Sequence, residues 1–341
     1  MDDSDEDYET EKNVYNILSA SPMKGCPSLI ESNMDPDLNI YALVLEKLGP
    51  SLEDLCSLMS RRNERFDEKM TLALAIQMVR GFPLPLVHKL CCTYHSLSTK
   101  LDRYADLHAR KIIHNGAKPG NICTTPDPSN TSDVPTLYLI DFGCSFFGNR
   151  TYLERGEELS GNKRFWSALS YHAFSEFPPP PSLSQYVYSC PFISNEISII
   201  IAQSQRDDLE SLGYLLSAVF QGSLPWDADP CNIWRIKMST PGSTLFRNMD
   251  PSFLEYWKDV RSLAFNEVPD YCSLKSRFVQ CWERKGFGGS PGEYDWVALF
   301  ARLNDDDDQK KKLLPDGEPE IPPVSVAPSV IVPGNSSHSA H

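Results

Sequence analysis

The sequence contains no run of about 18 apolar residues, which is the length that a membrane-spanning helix needs. Its ten cysteines form no CxxC pair and show no zinc-finger spacing, which argues against a structural metal site. The first residues, MDDSDEDYETE, are acidic and differ from a secretory or transit peptide. These absences predict a cytoplasmic or nuclear protein with reduced thiols and no membrane partner.

Basic charge is scarce as well, since 32 basic residues face 46 acidic ones and the net charge is −14. Residues 1–11 hold seven acidic and no basic side chains, and residues 304–341 hold seven acidic side chains and three lysines. Because nucleic-acid-binding surfaces are basic, we expect no nucleic acid partner. We also expect an acidic N-terminal segment at 1–8 and a disordered, Pro-, Ser- and Gly-rich tail at 304–341.

Between these ends, the apolar pattern predicts an α+β domain over residues 9–303. Helical periodicity occurs at 9–18, 67–78, 101–114 (where the last residues read as a strand) and 206–226. Strand-like runs end at Leu45 and just before Asp141. Ser51 predicts a helix start, because acidic residues follow it in the first turn.

The most informative stretch is KIIHNGAKPGNI at 111–122, which is followed by LYLIDFG at 137–143. The order of His, Lys-Pro, Asn and then Asp-Phe-Gly after a strand is similar to the catalytic and metal-binding loops of protein kinases. In that pattern the second residue after the histidine is an aspartate that accepts the proton of the substrate hydroxyl. Here that residue is Gly116.

Further blocks specify the family. In order, they are LEKLGPSLEDL (45–55), QSQRDDLESLGYLL (203–216), GSLPW (222–226), KMSTP (237–241) and RSLAFNEVPDYCSLKSRF (261–278). Together they resemble casein kinase I, a family of serine/threonine protein kinases. The resemblance implies a protein-kinase-like fold, consisting mainly of the helical C-terminal lobe with a truncated β-rich N-terminal lobe. It also implies ATP and Mg²⁺ as cofactors.

Two segments depart from the resemblance. Residues 79–100 interrupt a helix that runs unbroken in the family, and they contain Pro83 and Pro85. Proline inside a helix costs about 3 kcal/mol or more. Residues 175–201 fall where the family has only a few residues. We interpret both as insertions and hypothesise that they are unspliced intron sequence; for 175–201 a genuine loop is the alternative.

The resemblance assigns a set of cleft residues. It implies that Asn121 and Asp141 hold Mg²⁺, with a role as turn residues as the alternative, and that Lys118 neutralises the γ-phosphate. It also implies that Leu45 is the gatekeeper of the adenine site, and that the backbone of Glu46, Lys47 and Leu48 contacts adenine. A strand edge packed by its neighbours is the alternative for these four residues.

Other residues are assigned to substrate binding and to support. By resemblance, Arg164 and Lys237 form an anion site for an acidic or phosphorylated protein substrate or partner. Surface charges are the alternative. Asp208 is expected to brace the catalytic loop, and His114 and Arg261 are expected to be structural.

Several catalytic parts are missing. Gly116 cannot act as a base, no GxGxxG loop precedes residue 111, and no strand lysine pairs with Glu11, which we therefore expect to be a solvated surface acid. The sequence predicts a casein-kinase-I-like domain that is catalytically impaired, a pseudokinase or scaffold. One alternative is an active kinase whose gene model is truncated and carries unspliced introns. Another is a truncated product that does not fold.

Overall fold

The structure is a computed structural model that describes residues 3–35, 40–79, 103–125, 136–148, 164–165, 167–168 and 203–313. These residues form an α+β arrangement of helices and small antiparallel sheets, as the sequence predicted. The predicted insertion at 175–201 lies outside the described residues, and so does the insertion at 79–100 apart from Val79. Within the described residues, no helix is long and apolar enough to cross a membrane.

The N-terminal layer consists of one helix and one two-stranded sheet. The helix is α1 (Asp3–Ala20), and the strands are β1 (Leu29–Asp35) and β2 (Ile40–Leu45), which pair antiparallel. Helix α1 begins at Asp3, inside the segment 1–8 that the sequence set apart. Acidic residues at a helix N-terminus interact favourably with the helix dipole, and the ring of Tyr8 packs 4.8 Å from that of Tyr41 in β2.

The central part begins with two helices, α2 (Leu52–Arg61) and α3 (Glu68–Val79). The sequence predicted the start of α2 at Ser51 and both ends of α3 within one residue. Ser51 caps α2, because its hydroxyl accepts the amide proton of Asp54 and its own amide donates to the Asp54 carboxylate. The elements that follow are short: α4 (Tyr104–Ala109), β3 (Ile112–Ile113), β4 (Ile122–Thr124), β5 (Leu137–Leu139) and β6 (Phe146–Phe147). Strand β3 pairs with β6, and β4 pairs with β5.

The remaining described residues are mostly helical. The helices are α5 (Gln205–Gln221), α6 (Ile233–Ser239), α7 (Gly242–Leu245), α8 (Pro251–Ser262), α9 (Tyr271–Arg284) and α10 (Trp296–Leu313). Helix α5 is buried along most of its length and packs against α3 and α8. It ends at Gly222, whose φ of 80° is the left-handed conformation that glycine adopts without strain.

Helix α10 continues to Leu313, past the boundary at 303 that the sequence predicted. The sequence DDDDQKKK at 305–312 places each of three aspartates four residues before a lysine. Acidic residues placed four positions before basic ones stabilise a helix. The prediction of disorder from residue 304 used composition, which does not take this spacing into account. Residues 314–341 lie outside the described residues.

Candidate functional site

A buried aspartate in α5 holds the loop that follows β3. The carboxylate of Asp208 accepts hydrogen bonds from the amides of His114 and Asn115, each at 2.8 Å. The same carboxylate lies 2.8 Å from Nε2 of His108 in α4. With Asp208 only 1% exposed, these bonds fix two consecutive amides of the loop to the core. The predicted bracing role of Asp208 is confirmed.

His114 is buried beneath this loop. Its Nδ1 accepts the amide proton of Gly116 at 3.1 Å, and its Nε2 lies 3.2 Å from the carbonyl oxygen of Ile140. Burial is the main cause that lowers the pKa of His114, which favours the neutral ring that accepts at Nδ1 and donates at Nε2. These contacts agree with the structural role expected for His114.

Gly116 lies in a closely packed part of the loop. Its carbonyl oxygen accepts a hydrogen bond from the side-chain nitrogen of Asn121 at 2.9 Å. A Cβ atom added at Gly116 would lie 3.0 Å from the ring of His114 and 3.2 Å from Asn121. A larger residue therefore requires its neighbours to move by a few tenths of an ångström, and no carboxylate stands at the position of the expected base.

Two of the three predicted phosphate-site residues are in direct contact. Nζ of Lys118 lies 3.2 Å from Oδ2 of Asp141. Asn121 is connected to the same segment through its backbone, because its carbonyl accepts the amide proton of Ile140 at 3.0 Å. The structure thus brings Lys118, Asn121 and Asp141 to one side of the loop.

The backbone at this site adopts an unusual conformation. Asn115 and Asp141 have positive φ angles of 53° and 66°. Non-glycine residues in this conformation carry strain and cluster at functional sites. The strain at Asn115 is opposed by the Asp208 hydrogen bond to its amide.

The oxygen atoms at the site suit Mg²⁺ only in part. The carboxylate of Asp141 and the side-chain oxygen of Asn121 are ligands of the type that Mg²⁺ prefers. Across the described residues, however, there is no cluster of three or more His, Cys, Asp or Glu side chains arranged for a metal ion. Asp141 and Asn121 therefore fit Mg²⁺ as two ligands that need nucleotide phosphates or water to complete the set.

Glu11 differs from its prediction. It is not a solvated surface acid, because its Oε1 accepts the amide proton of Phe142 at 3.1 Å. Burial, followed by the charge of Asp141, raises the pKa of Glu11 to about 7. One turn along α1, the ring of Tyr15 packs edge-on to that of Phe142 at 5.2 Å. Helix α1 thus holds the Asp-Phe-Gly segment through one hydrogen bond and one ring contact.

The predicted adenine site lies where β2 runs into α2. Leu45 ends β2, and the amide of Glu46 donates to the carbonyl of Ser28 at 2.9 Å. The side chains of Glu46 and Lys47 are exposed, and that of Leu48 is half-buried. The assignment of an adenine site stays a prediction.

Arg164 is paired with an acidic residue. Its Nε donates to Oδ1 of Asp227 at 2.7 Å, and a second guanidinium nitrogen contacts Oδ2. Its carbonyl accepts the indole proton of Trp226 at 2.8 Å. Any anion that binds Arg164 must therefore compete with the carboxylate of Asp227.

Lys237 is buried near the same tryptophan. Its Nζ lies 4.8 Å from the ring centre of Tyr214 and 5.0 Å from that of Trp226. Burial lowers the pKa of Lys237 to about 7, although the charges of Glu210 and Asp227 act in the opposite direction. Trp226 thus contacts both residues of the predicted anion site, Arg164 and Lys237. Because Lys237 is buried, the alternative that it is a surface charge is wrong.

A second buried network was not predicted from the sequence. The hydroxyl of Ser167 lies within hydrogen-bond distance of the carboxylates of Asp207, at 2.7 Å, and Glu210 in α5, and its single proton is donated to one of them. Glu210 also accepts from the hydroxyl of Tyr214 at 2.9 Å and pairs with Arg261, consistent with the structural role expected for that arginine. The sequence signal was the run of polar residues inside an otherwise apolar helix.

No family model matches the sequence. The resemblance to casein kinase I therefore depends on the motifs themselves, which lie at 45–55, 111–122, 137–143, 203–216, 222–226, 237–241 and 261–278. Four of these motifs contribute residues to the contacts around Asp141, Asp208 and Arg164 described above.

Proposed function

We propose that this chain is a casein-kinase-I-like domain that binds a protein partner and transfers phosphate poorly or not at all. The observation that carries the proposal is Gly116, which stands without a carboxylate in a loop that is otherwise ordered by Asp208 and Asn121. General-base catalysis contributes about 10²–10⁴-fold to rate. Losing it leaves a cleft that can hold ligands but cannot activate a substrate hydroxyl efficiently.

The remaining cleft residues support nucleotide binding better than catalysis. By resemblance Lys118 would meet a phosphate, and Asp141 and Asn121 would hold Mg²⁺; their proximity supports this, because Nζ of Lys118 lies 3.2 Å from Oδ2 of Asp141 and the Asn121 carbonyl accepts the amide proton of Ile140. When bound, Mg²⁺ neutralises charge on the phosphates. In its absence Lys118 neutralises Asp141, so the ion pair between them must open for a nucleotide to bind.

An active serine/threonine kinase is the second candidate. It is favoured by the retained contact between Lys118 and Asp141 and by the bracing of the loop through Asp208. A phosphotransfer measurement separates the two candidates.

The partner is proposed to present an acidic or phosphorylated segment near Arg164. Support comes from the guanidinium of Arg164, which has the fork geometry that suits carboxylate and phosphate oxygens. The carboxylate of Asp227 already accepts hydrogen bonds from two guanidinium nitrogens of Arg164. Asp227 therefore acts as an internal competitor that weakens binding of an external anion.

This arrangement predicts the effect of replacing Asp227. A fluorescently labelled acidic phosphoserine peptide should bind the Asp227→Asn variant several-fold more tightly than the wild type, because the guanidinium is no longer neutralised. Arg164→Ala should reduce binding to the level of an unphosphorylated neutral peptide. Fluorescence anisotropy at low and high salt measures both effects, since charge-dependent binding weakens with salt.

Arg277→Ala serves as the matched control, because this arginine also pairs with acidic residues, Asp259 and Glu255, but lies on α9. It should leave peptide binding unchanged. Equal affinities for wild type, Arg164→Ala and Arg277→Ala would exclude Arg164 as the anion site.

A further inference from the structure

We propose that Lys237 links anion binding at Arg164 to a proton: when an acidic segment binds Arg164, Lys237 takes up a proton, so the affinity for the segment rises as pH falls. The inference rests on the proposed function, because it concerns the same anion site. Lys237 acts on the anion through its charge rather than through contact, since its side chain is buried.

Arg164 and Lys237 share two neighbours. The indole nitrogen of Trp226 donates to the carbonyl of Arg164 at 2.8 Å, and Nζ of Lys237 lies 5.0 Å from the ring centre of Trp226. The next residue, Asp227, accepts from the guanidinium of Arg164, and its charge also acts on Lys237. The amide of Leu224 donates to Oδ2 of Asp227 at 2.7 Å and holds this carboxylate in place. An anion on Arg164 therefore lies within electrostatic reach of Lys237.

The two carboxylates that attract a proton to Lys237 are each shared with an arginine. Glu210 of α5 pairs with Arg261 of α8, and Asp227 pairs with Arg164. Both carboxylates favour the charged form of Lys237, while burial opposes it. Because each carboxylate is partly neutralised by its arginine, its attraction for the proton of Lys237 is reduced.

Two further ionisable groups belong to the cluster around Lys237. The ring of Tyr214 packs against Nζ of Lys237, and burial raises the pKa of Tyr214, which keeps its hydroxyl uncharged. Asp207 is connected to Glu210 through the hydroxyl of Ser167, which lies within hydrogen-bond distance of both carboxylates. Burial lowers the pKa of Lys237 to about 7, so this lysine changes its charge close to neutral pH.

An anion at Arg164 changes the balance of charge at Lys237. It competes with Asp227 for the guanidinium, so the charge of Asp227 is no longer shared with an arginine, and it adds a negative charge of its own. Both changes favour the charged lysine and raise its pKa. Since linkage is reciprocal, a protonated Lys237 strengthens anion binding by the same factor. A rise of about one pKa unit corresponds to about tenfold in affinity.

Fluorescence anisotropy of a labelled hexa-aspartate peptide, measured with the full chain from pH 6 to pH 9, tests this inference. The peptide carboxylates stay ionised over this range, so the charge of the probe is constant. At pH 9 Lys237 is largely neutral in the free protein, and at pH 6 it is largely charged, so the wild type should bind about tenfold more tightly at pH 6. Calorimetry at pH 7.5 should show proton uptake, as a binding heat that depends on the ionisation enthalpy of the buffer.

Two substitutions at Lys237 separate charge from structure. Lys237→Met should bind the peptide weakly at every pH and without the proton uptake of Lys237. Lys237→Arg keeps its positive charge over the whole range, so it should bind tightly even at pH 9. The control is Lys258→Met at an exposed position of α8, which should retain the pH profile of the wild type. Circular dichroism melts show whether each variant is folded.

The outcomes distinguish this inference from the anion site on which it rests. A pH profile that either folded Lys237 variant shares with the wild type would overturn the inference and leave Arg164 as the anion site. If neither variant folds, binding by the wild type without proton uptake would overturn it. A wild type that does not bind the peptide at any pH would contradict the anion site itself, and the inference with it.

Discussion

Replacing Asp208 by alanine is expected to lower the free energy of unfolding by about 3–5 kcal/mol, the range for removing one partner from a buried charged network. The substitution leaves the amides of His114 and Asn115 without their acceptor and Nε2 of His108 without its partner. Each buried group that loses its hydrogen bond costs about 1–3 kcal/mol. Urea denaturation followed by tryptophan fluorescence measures the change.

Asp208→Asn gives a graded comparison, because an amide keeps one acceptor oxygen but turns the other into a donor. It should lie between the wild type and Asp208→Ala. The control is Glu255→Ala, which removes an exposed partner of Arg277 and should cost at most about 1 kcal/mol. If Asp208→Ala costs no more than Glu255→Ala, Asp208 does not hold the loop.

The second large expected effect is a gain in stability. Lys237→Met is expected to raise the free energy of unfolding by a few kcal/mol at pH 6, since each unit of pKa shift corresponds to about 1.4 kcal/mol. Methionine has a similar length and packs against Tyr214 and Trp226 without a buried charge. Lys237 is only 5% exposed, so solvent does little to offset that charge.

The shifted pKa of Lys237 also determines how its contribution to stability changes with pH. Burial lowers the folded-state pKa of Lys237 from 10.5 to about 7. Between these values the unfolded chain binds a proton that the folded chain does not, so this group's contribution to stability increases from pH 7 towards pH 10 and is lost as pH falls through 7. The advantage of Lys237→Met over the wild type should therefore shrink as pH rises from 7 to 10.

Glu11 makes stability change with pH in the opposite direction. Its pKa rises from 4.5 to about 7 in the folded protein, so its stabilising contribution is lost as pH increases through that range. Comparing each variant with the wild type at the same pH cancels the contribution of Glu11, which both proteins share. Lys258→Met, at an exposed position of α8, should leave the pH dependence unchanged. A loss of stability in Lys237→Met at pH 6 would mean that the attraction of Glu210 and Asp227 outweighs burial.

Local signals in the sequence predicted much of the fold. Ser51 and Gly222 mark helix ends because their caps involve only neighbouring residues. The periodicity of α3 and α5 gave their bounds within one or two residues, and the predicted end of α5 at Gly222 is confirmed. The resemblance assigned Lys118 and Asp141 to the same phosphate site, and the structure brings their side chains within 3.2 Å. It also implied that Asp208 braces the loop, which the structure confirms.

The environments of Glu11 and Lys237 could not be read from local sequence. The partner of Glu11 is the amide of Phe142, 131 residues away along the chain. Lys237 is buried because α6 approaches Tyr214 and Trp226, and no pattern within KMSTP indicates that approach. Similarly, Arg164 was assigned to an anion site by resemblance, and its pairing with Asp227, 63 residues further along the chain, is a tertiary contact that the sequence did not indicate.

The central claim, that the cleft around Gly116 does not transfer phosphate, is tested most directly by incorporation of labelled phosphate from Mg·ATP into casein. Asp141→Ala supplies the baseline, because it removes the carboxylate that pairs with Lys118. We predict that the wild type and Asp141→Ala give the same signal. Incorporation by the wild type that disappears in Asp141→Ala would contradict the account and identify the chain as an active kinase.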